Sequence, residues 1–436
     1  ALCVNATTQW NPLRLWPDGI ASPGMWMSPR TLTSEWQDYT GTTPVATPGT
    51  VADSSNPVGL ALDIRAGATV LTDPGNHMLQ STSAARPLMS ARVNLLTYTE
   101  DFSSGWTKEL VTATPTTIVE TAATGNHRTG ATSSPAIVVG ATYSYSVRVK
   151  RLVGTRNIDL IGINAPGYFV QPFVLSGAGT VGTPNIYGST ATLTNASIVL
   201  GDDGYYTCSL SVSWSAGTNM ALMFDLNNGT SSNYTGDGVS SLQFDGIQWK
   251  KGAATPYQAV LGDGSTYATD FPIYQKYDGV DDGMATAAFA AGTLTSGMDC
   301  MIAVRRDSGA ACVAGIYNGI ADATKFFGMA ESASGSGCVG SGAGTPTVWV
   351  DGVQLSGGTA VTRGTLHTAL TVGDWHILEF RGLDLSTWTA AGFGLYTSYV
   401  FPGARGDIML YPSTDSTADK DAARQYLADY YGVTLP

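Results

Sequence analysis

Six glutamates, Glu35, Glu100, Glu109, Glu120, Glu331 and Glu379, are the whole glutamate supply of a 436-residue chain. Glycan hydrolysis is the activity to weigh first, and it needs two carboxylates flanking the scissile bond, roughly 5–9 Å apart. No two of these glutamates fall on one strand face by their spacing, and an E-x-D-x-E pattern is absent. The pairs Asp202-Asp203 and Asp281-Asp282 lie in turn-like sequence, where aspartate commonly bonds its own backbone. The histidines His77, His127, His367 and His376 belong to no recognisable motif, and G-x-S-x-G is absent. A Ser-His-Asp triad stays open, because its members need not be close in sequence. The residues therefore predict a chain that is not an enzyme, with catalytic residues none.

Binding chemistry has better candidates. Asp278, Asp281 and Asp282 cluster in one turn, and hard cations take oxygen ligands. No cofactor is expected beyond a structural calcium ion at that turn. Thr347–Leu355 reads as a hairpin around Asp351-Gly352, a pair suited to positive φ at both turn positions. Within it Trp349 alternates with Val348 and Val350, so valines facing a core would turn Trp349 outward. Sugar rings present apolar C–H faces to such an aromatic, which makes Trp349 and Asp351 the glycan-binding candidates; the bland alternative packs Trp349 on a neighbouring subunit or the last helix. Trp10, Trp16, Trp26 and Trp36 are the anchoring candidates. Cys3, Cys208, Cys300, Cys312 and Cys338 show no metal-ligand spacing. They read as free thiols from a reducing compartment, with a Cys300–Cys312 or Cys312–Cys338 bridge left open.

These residues must be positioned by strands. Only 13% of the residues are charged while 43% are hydrophobic and 10% aromatic, with 52 glycines. That profile suits short strands joined by Gly-rich turns. Length points to two or three domains. The net charge of −12 and the lack of a basic stripe argue against nucleic acid as a partner. No run approaches the roughly 18 apolar residues of a membrane helix, so no membrane insertion is expected, and the opening residues carry no clean apolar secretion signal.

The first ninety residues differ from the rest. Nine prolines from Pro12 to Pro87 punctuate them, and proline is rare inside sheets. Residues 1–93 read as an extended Pro/Trp-rich arm, or else as loops packed on their own protein. Residues 94–260 read as one antiparallel β-sandwich, with period-two strands at Tyr143–Val149 and Tyr205–Trp214. Residues 263–436 read as a second. Ser416 three residues before Asp419 is a capping-box-like start. Ala423, Tyr426, Leu427 and Tyr430 then form a stripe, and Gly432 suits a left-handed cap. The expected fold is mainly β: two β-sandwich (jelly-roll) domains after an extended N-terminal arm, with one C-terminal helix closing the last.

Three stretches together resemble one group of bacteriophage virion structural proteins. The first is EWQDYTGTTPV at Glu35–Val45 with NPVGL at Asn56–Leu60 and GNHMLQSTSAARP at Gly75–Pro87. The second opens at NLLTYTEDF, Asn94–Phe102, runs through Trp106 and ends at QWKKGAATPY, Gln248–Tyr257. It is similar to a carbohydrate-binding-module-like jelly roll, although Lys250 stands where that group usually has glutamate. The third runs from YDGVDDGM, Tyr277–Met284, to QYLADYYG, Gln425–Gly432, and resembles a concanavalin-A/laminin-G-like domain. The resemblance covers nearly the whole chain.

What the resemblance implies is a place and an architecture. The chain would be a non-enzymatic virion surface protein: a head fibre, capsid decoration or tail fibre, assembled in the host bacterial cytoplasm. It would partner other virion proteins of capsid or tail and itself, as a symmetric oligomer such as a homotrimer. It would assist adhesion to host surface polysaccharide. The alternative is a capsule-degrading, tailspike-type glycan hydrolase; a secreted cellular adhesin is a third class.

Overall fold

The computed structural model describes residues 11–18, 21–66, 75–165, 167–188, 190–289, 293–318, 322–355, 360–413 and 416–436. Strands dominate, their ladders are antiparallel, and the chain divides into two compact units. One comprises 92–271 with 49–52; the other comprises 1–48, 53–91 and 272–436.

The 92–271 unit is a β-sandwich. One sheet runs in the order Ala191–Leu200, Tyr206–Trp214, Thr142–Val153, Ser241–Lys251, Thr117–Glu120, Val111–Ala113. The other runs Thr180–Val181, Gly167–Val174, Asn157–Asn164, Ala221–Asn227, Thr124–Ala131, Asn233–Thr235. Asn185–Tyr187 joins it at Gly167–Val174, and Trp106–Glu109 joins it at Thr124–Ala131. Successive side chains on a strand point to opposite faces, so alternation decides what is buried between the sheets. Phe224 of one sheet meets Phe244 of the other with ring centroids 4.6 Å apart, and Phe169 meets Trp214 at 6.0 Å. Aromatic side chains of this size each stabilise a core by about 1.5–3 kcal/mol on burial.

The other unit is built on a large sheet ordered Val353–Gln354, Thr347–Val350, Trp375–Asp384, Ser296–Arg306, Pro402–Pro412, Tyr274–Asp278, Leu88–Ser90, with Met25–Met27 also paired to Pro402–Pro412. A smaller sheet runs Glu35–Trp36, Leu60–Ala61, Met78–Leu79, Met284–Thr286, Gly392–Phe393. One core cluster gathers Met27, Ala61, Met78, Met284, Ile302, Phe380 and Ile408 from both sheets. A second lies on the opposite phase of the large sheet. There Met301, Ala303, Ile377, Met409 and Tyr411 pack with Trp16, Trp26 and the helix residues Ala423, Leu427, Ala428 and Tyr431.

Of the two readings of residues 1–93, the described residues follow the second, packing on their own protein. The N-terminal segment is extended in backbone but not detached: it supplies strands to both sheets of the C-terminal unit. Two- and three-residue strands fit between prolines such as Pro23 and Pro29 because each asks for few backbone donors. A boundary near residue 93 therefore separates two units without making residues 1–93 a body of their own.

The C-terminal helix, Thr417–Tyr431, has the expected caps: the Ser416 side chain accepts from the Asp419 N–H, and Gly432 is left-handed at φ 70°. It covers a face of the large sheet, where an open end of the sandwich was expected. A second α-helix, Arg363–Ala369, is capped by Thr362; it is too short for its period to be read from sequence. Cys208, Cys300, Cys312 and Cys338 are buried free thiols, so neither bridge left open by the sequence is formed.

Candidate functional site

Trp16 and Trp26 are used by their own chain. Their rings stack at 6.0 Å, the Trp16 Nε1–H donates to the Leu410 carbonyl at 3.1 Å, and the Trp26 Nε1–H donates to Asp407 Oδ1 at 3.0 Å. Both are buried, so they anchor the N-terminal segment to the C-terminal unit and offer no surface to another protein. Trp36 sits in a strand paired with Leu60–Ala61. Trp10 lies outside the described residues.

The hairpin forms as the sequence predicts, with Asp351 at φ 52° and Gly352 at φ 82°. Val348 and Val350 are buried, and Trp349 is on the other phase, half-buried. Its ring is engaged, however: the Arg381 guanidinium lies 4.6 Å from the ring centroid and that of Arg424 at 6.0 Å. Asp351 is engaged too. Its Oδ1 accepts from the Ile377 N–H at 2.8 Å, and its Oδ2 meets His376 Nδ1 at 2.7 Å.

His376 Nε2 in turn meets Thr371 Oγ1 at 2.9 Å, so Thr371, His376 and Asp351 stand in the order nucleophile, base, orienting acid. The hydroxyl also donates to Asp374 Oδ2 at 3.1 Å, so Asp374 competes with His376 for its proton. The chain of bonds ties the hairpin turn to the neighbouring strand.

Asp278, Asp281 and Asp282 do converge, their ligand atoms within 4.8 Å of one another. Asp278 Oδ1 accepts from the Val280 N–H at 2.7 Å, and Asp282 Oδ2 accepts from the Asp278 N–H at 2.8 Å. Burial first, then the two neighbouring carboxylates, pushes the Asp282 carboxyl up to about 6. The trio suits a hard cation in ligand type but supplies three groups where calcium takes six to eight oxygens. Its hydrogen bonds are those of a self-capped turn.

A further site, which the sequence reading missed, lies in the 92–271 unit. The two sheets turn different faces outward. On the first sheet the phase opposite the core carries Ser146, Arg148 and Lys150 beside Thr207, Ser209, Ser211 and Ser213. That is an ordinary solvated face. On the second sheet the corresponding phase is apolar and aromatic. Ladder partners Tyr187 and Tyr168 stack at 4.2 Å with an interplanar angle of 15°, and both are exposed. Ile163 and Ala221 continue that row, and Val170, Ile161 and Met223 form the next.

The third row is charged: Pro172, Asp159, Asp225, Arg128 and Glu109 are successive ladder partners. Arg128 Nη2 meets Asp225 Oδ2 at 3.1 Å, and Arg128 Nε lies 3.5 Å from Glu109 Oε2. Asn227 Nδ2 donates to Asp159 Oδ2 at 2.9 Å. The remaining oxygens, Asp159 Oδ1 and Asp225 Oδ1, are buried without a hydrogen-bond partner. Burial pushes the Asp159 carboxyl up to about 6, against the Asn227 hydrogen bond and with the neighbouring Asp225 adding to the rise. Burial also raises Asp225, and Arg128 opposes it.

A signal for this face exists. Asn157–Asn164, NIDLIGIN, and Gly167–Val174, GYFVQPFV, are apolar on both phases, unlike the clean alternation of a strand with one solvated face. The chain matches no protein-family model and no curated protein.

Proposed function

We propose that the chain is a non-enzymatic surface protein of a bacteriophage particle, a head fibre, capsid decoration or tail fibre, whose 92–271 unit adheres to host surface glycan. The single observation that carries the adhesive part is the outward face of the second sheet. A stacked, exposed Tyr168–Tyr187 pair with its two hydroxyls lies beside the partly exposed Ile163, Val170 and Met223. Carbohydrate asks for that combination, since a sugar ring offers apolar C–H faces for aromatic contact and hydroxyls for polar contact. Adjoining apolar side chains left in contact with solvent on a sheet mark an interaction surface. The phage assignment rests on the sequence resemblance. Weak contacts of this kind gain about 10²–10⁴ in avidity when several copies share one particle, which favours a symmetric oligomer displayed on the virion. The same face could serve a purely structural bracing role, and adsorption decides between them. Tyr168→Ala should lower particle adsorption to host cells at least tenfold with assembly unchanged. Normal adsorption would refute adhesion by this face, and depolymerised host polysaccharide after incubation with the protein would refute the non-enzymatic reading.

A further inference from the structure

We propose that Tyr168 and Tyr187 are a modification site: under one-electron oxidation their rings couple through their ortho carbons to an intrachain dityrosine. The proposal stands apart from the adhesive reading. The two tyrosines are ladder partners on Gly167–Val174 and Asn185–Tyr187. Their ring centroids lie 4.2 Å apart at an interplanar angle of 15°. Glycine at position 167 permits the approach: a Cβ there would fall 2.8 Å from the Tyr187 carbonyl oxygen. Both rings are within reach of a dissolved oxidant, Tyr168 at 37% and Tyr187 at 47% exposure. The Tyr317–Tyr396 contact is buried on both sides, and Tyr430–Tyr431 is edge-on with Tyr431 buried.

Each phenol gives up one electron from its ring and the proton of its hydroxyl. The oxidant is of the peroxide class: one hydrogen peroxide, turned over by a haem peroxidase, takes up the two electrons and two protons and leaves as two waters. The spin of a tyrosyl radical resides largely on the oxygen and the ortho carbons, in orbitals perpendicular to the ring. Rings stacked face to face point those orbitals at each other, which an edge-on pair does not. A carbon–carbon bond forms between the two ortho carbons, and the hydrogen on each then passes to the oxygen of the same ring to restore aromaticity. The net change is the loss of two hydrogen atoms. Asn185–Tyr187 is a three-residue strand, exposed at every position and paired to Gly167–Val174. The new bond gives this short, solvated strand a covalent tie, which opposes its local opening.

The test uses the full chain at low concentration, treated with hydrogen peroxide and a haem peroxidase, and separately with persulfate under photoactivated ruthenium tris-bipyridine, a smaller one-electron oxidant. The monomer should become two hydrogens lighter and acquire dityrosine fluorescence, and mass spectrometry of peptic digests should map the link to Tyr168 and Tyr187. Tyr168→Phe and Tyr187→Phe keep the ring but lack the phenol, and each should lose that link. In the coupled monomer the amides of Asn185–Tyr187 should exchange hydrogen more slowly than in the untreated chain. A link mapped to other tyrosines, dityrosine confined to chain dimers, or no dityrosine with either oxidant overturns the proposal. A link that persists in either Phe variant overturns it as well, and unchanged amide exchange overturns the tie. The readout is covalent, so none of these outcomes bears on glycan adsorption.

Discussion

Arg30 and Asp407, 377 residues apart in the chain, form a direct ion pair, Nε to Oδ2 at 2.8 Å, inside the C-terminal unit. Asp407 also accepts from the Trp26 Nε1–H at 3.0 Å and from the Tyr431 hydroxyl at 2.8 Å. The Arg30 guanidinium lies 4.1 Å from the centroid of the Tyr430 ring. One carboxylate thus joins the N-terminal segment, a central strand and the last helix. Removing one partner of a buried pair leaves the other charge uncompensated, at a cost of about 3–5 kcal/mol. Arg30→Ala should destabilise the C-terminal unit by that order in urea denaturation. Deleting residues 1–36 should destabilise it further; a deletion that melts like the intact chain would show the segment to be a detachable arm after all.

Glu35 supplies a pH dependence. Its carboxyl is fully buried and pushed up to about 8 by that burial, with Arg405 pulling the other way. Its Oε2 accepts from Gln275 Nε2 at 2.9 Å, and its Oε1 has no partner. An acid whose folded pKa exceeds its unfolded value holds its proton longer in the folded state, so stability is fullest below the ordinary glutamate range and falls as pH rises toward 8. Glu35→Gln keeps the hydrogen bond and removes the titration. Its melting temperature should exceed that of the parent by a margin that widens between pH 5 and pH 9. A constant margin would place the ionised form in a better environment than burial allows.

Trp349 is held between arginines, so its truncation should register as packing. A partly exposed cation–π contact contributes about 0.5–1 kcal/mol. Trp349→Ala should lower stability by roughly 1–2 kcal/mol through that contact and lost burial, and leave glycan adsorption within twofold. A tenfold loss of adsorption from a stably folded Trp349→Ala would move the glycan site to the hairpin.

The aspartate turn gives a metal prediction. Its carboxylates cap the backbone N–H groups of Asp278 and Val280, so the turn is satisfied without an ion. EDTA should leave the melting temperature unchanged. Asp282→Ala should cost about 1–2 kcal/mol by orphaning the buried cap. A fall of several degrees on chelation would make calcium structural.

The legible parts of this chain are the local ones. Ser416, Gly432 and the Asp351-Gly352 turn declare themselves because a cap or a positive φ is decided by neighbours in sequence. The Asp278, Asp281 and Asp282 cluster was legible for the same reason. The pairing of Met25–Met27 with Leu410–Ile408 leaves no local trace, and the surrounding prolines argue against a strand. The outward face of the second sheet in the 92–271 unit is assembled from strands scattered between Trp106 and Asn227. Its only mark in the sequence is strands apolar on both phases, a pattern a buried strand would share. Trp349 and Asp351 drew attention because a hairpin can be read from sequence, whereas the groups that occupy them, Arg381, Arg424 and His376, come from other elements.

The 92–271 unit is an insertion in chain order, and this dictates a schedule for synthesis. That unit can close on itself as soon as it has left the ribosome. The N-terminal segment cannot: the Asp407 that Arg30 requires arrives 377 residues later, roughly 20–75 s at about 5–20 residues per second. For that interval Trp16, Met25, Trp26 and Met27, all buried in the finished molecule, have no sheet to cover them. This stretch is made well before the strands that cover it, which makes it a natural place for a chaperone to hold the nascent chain.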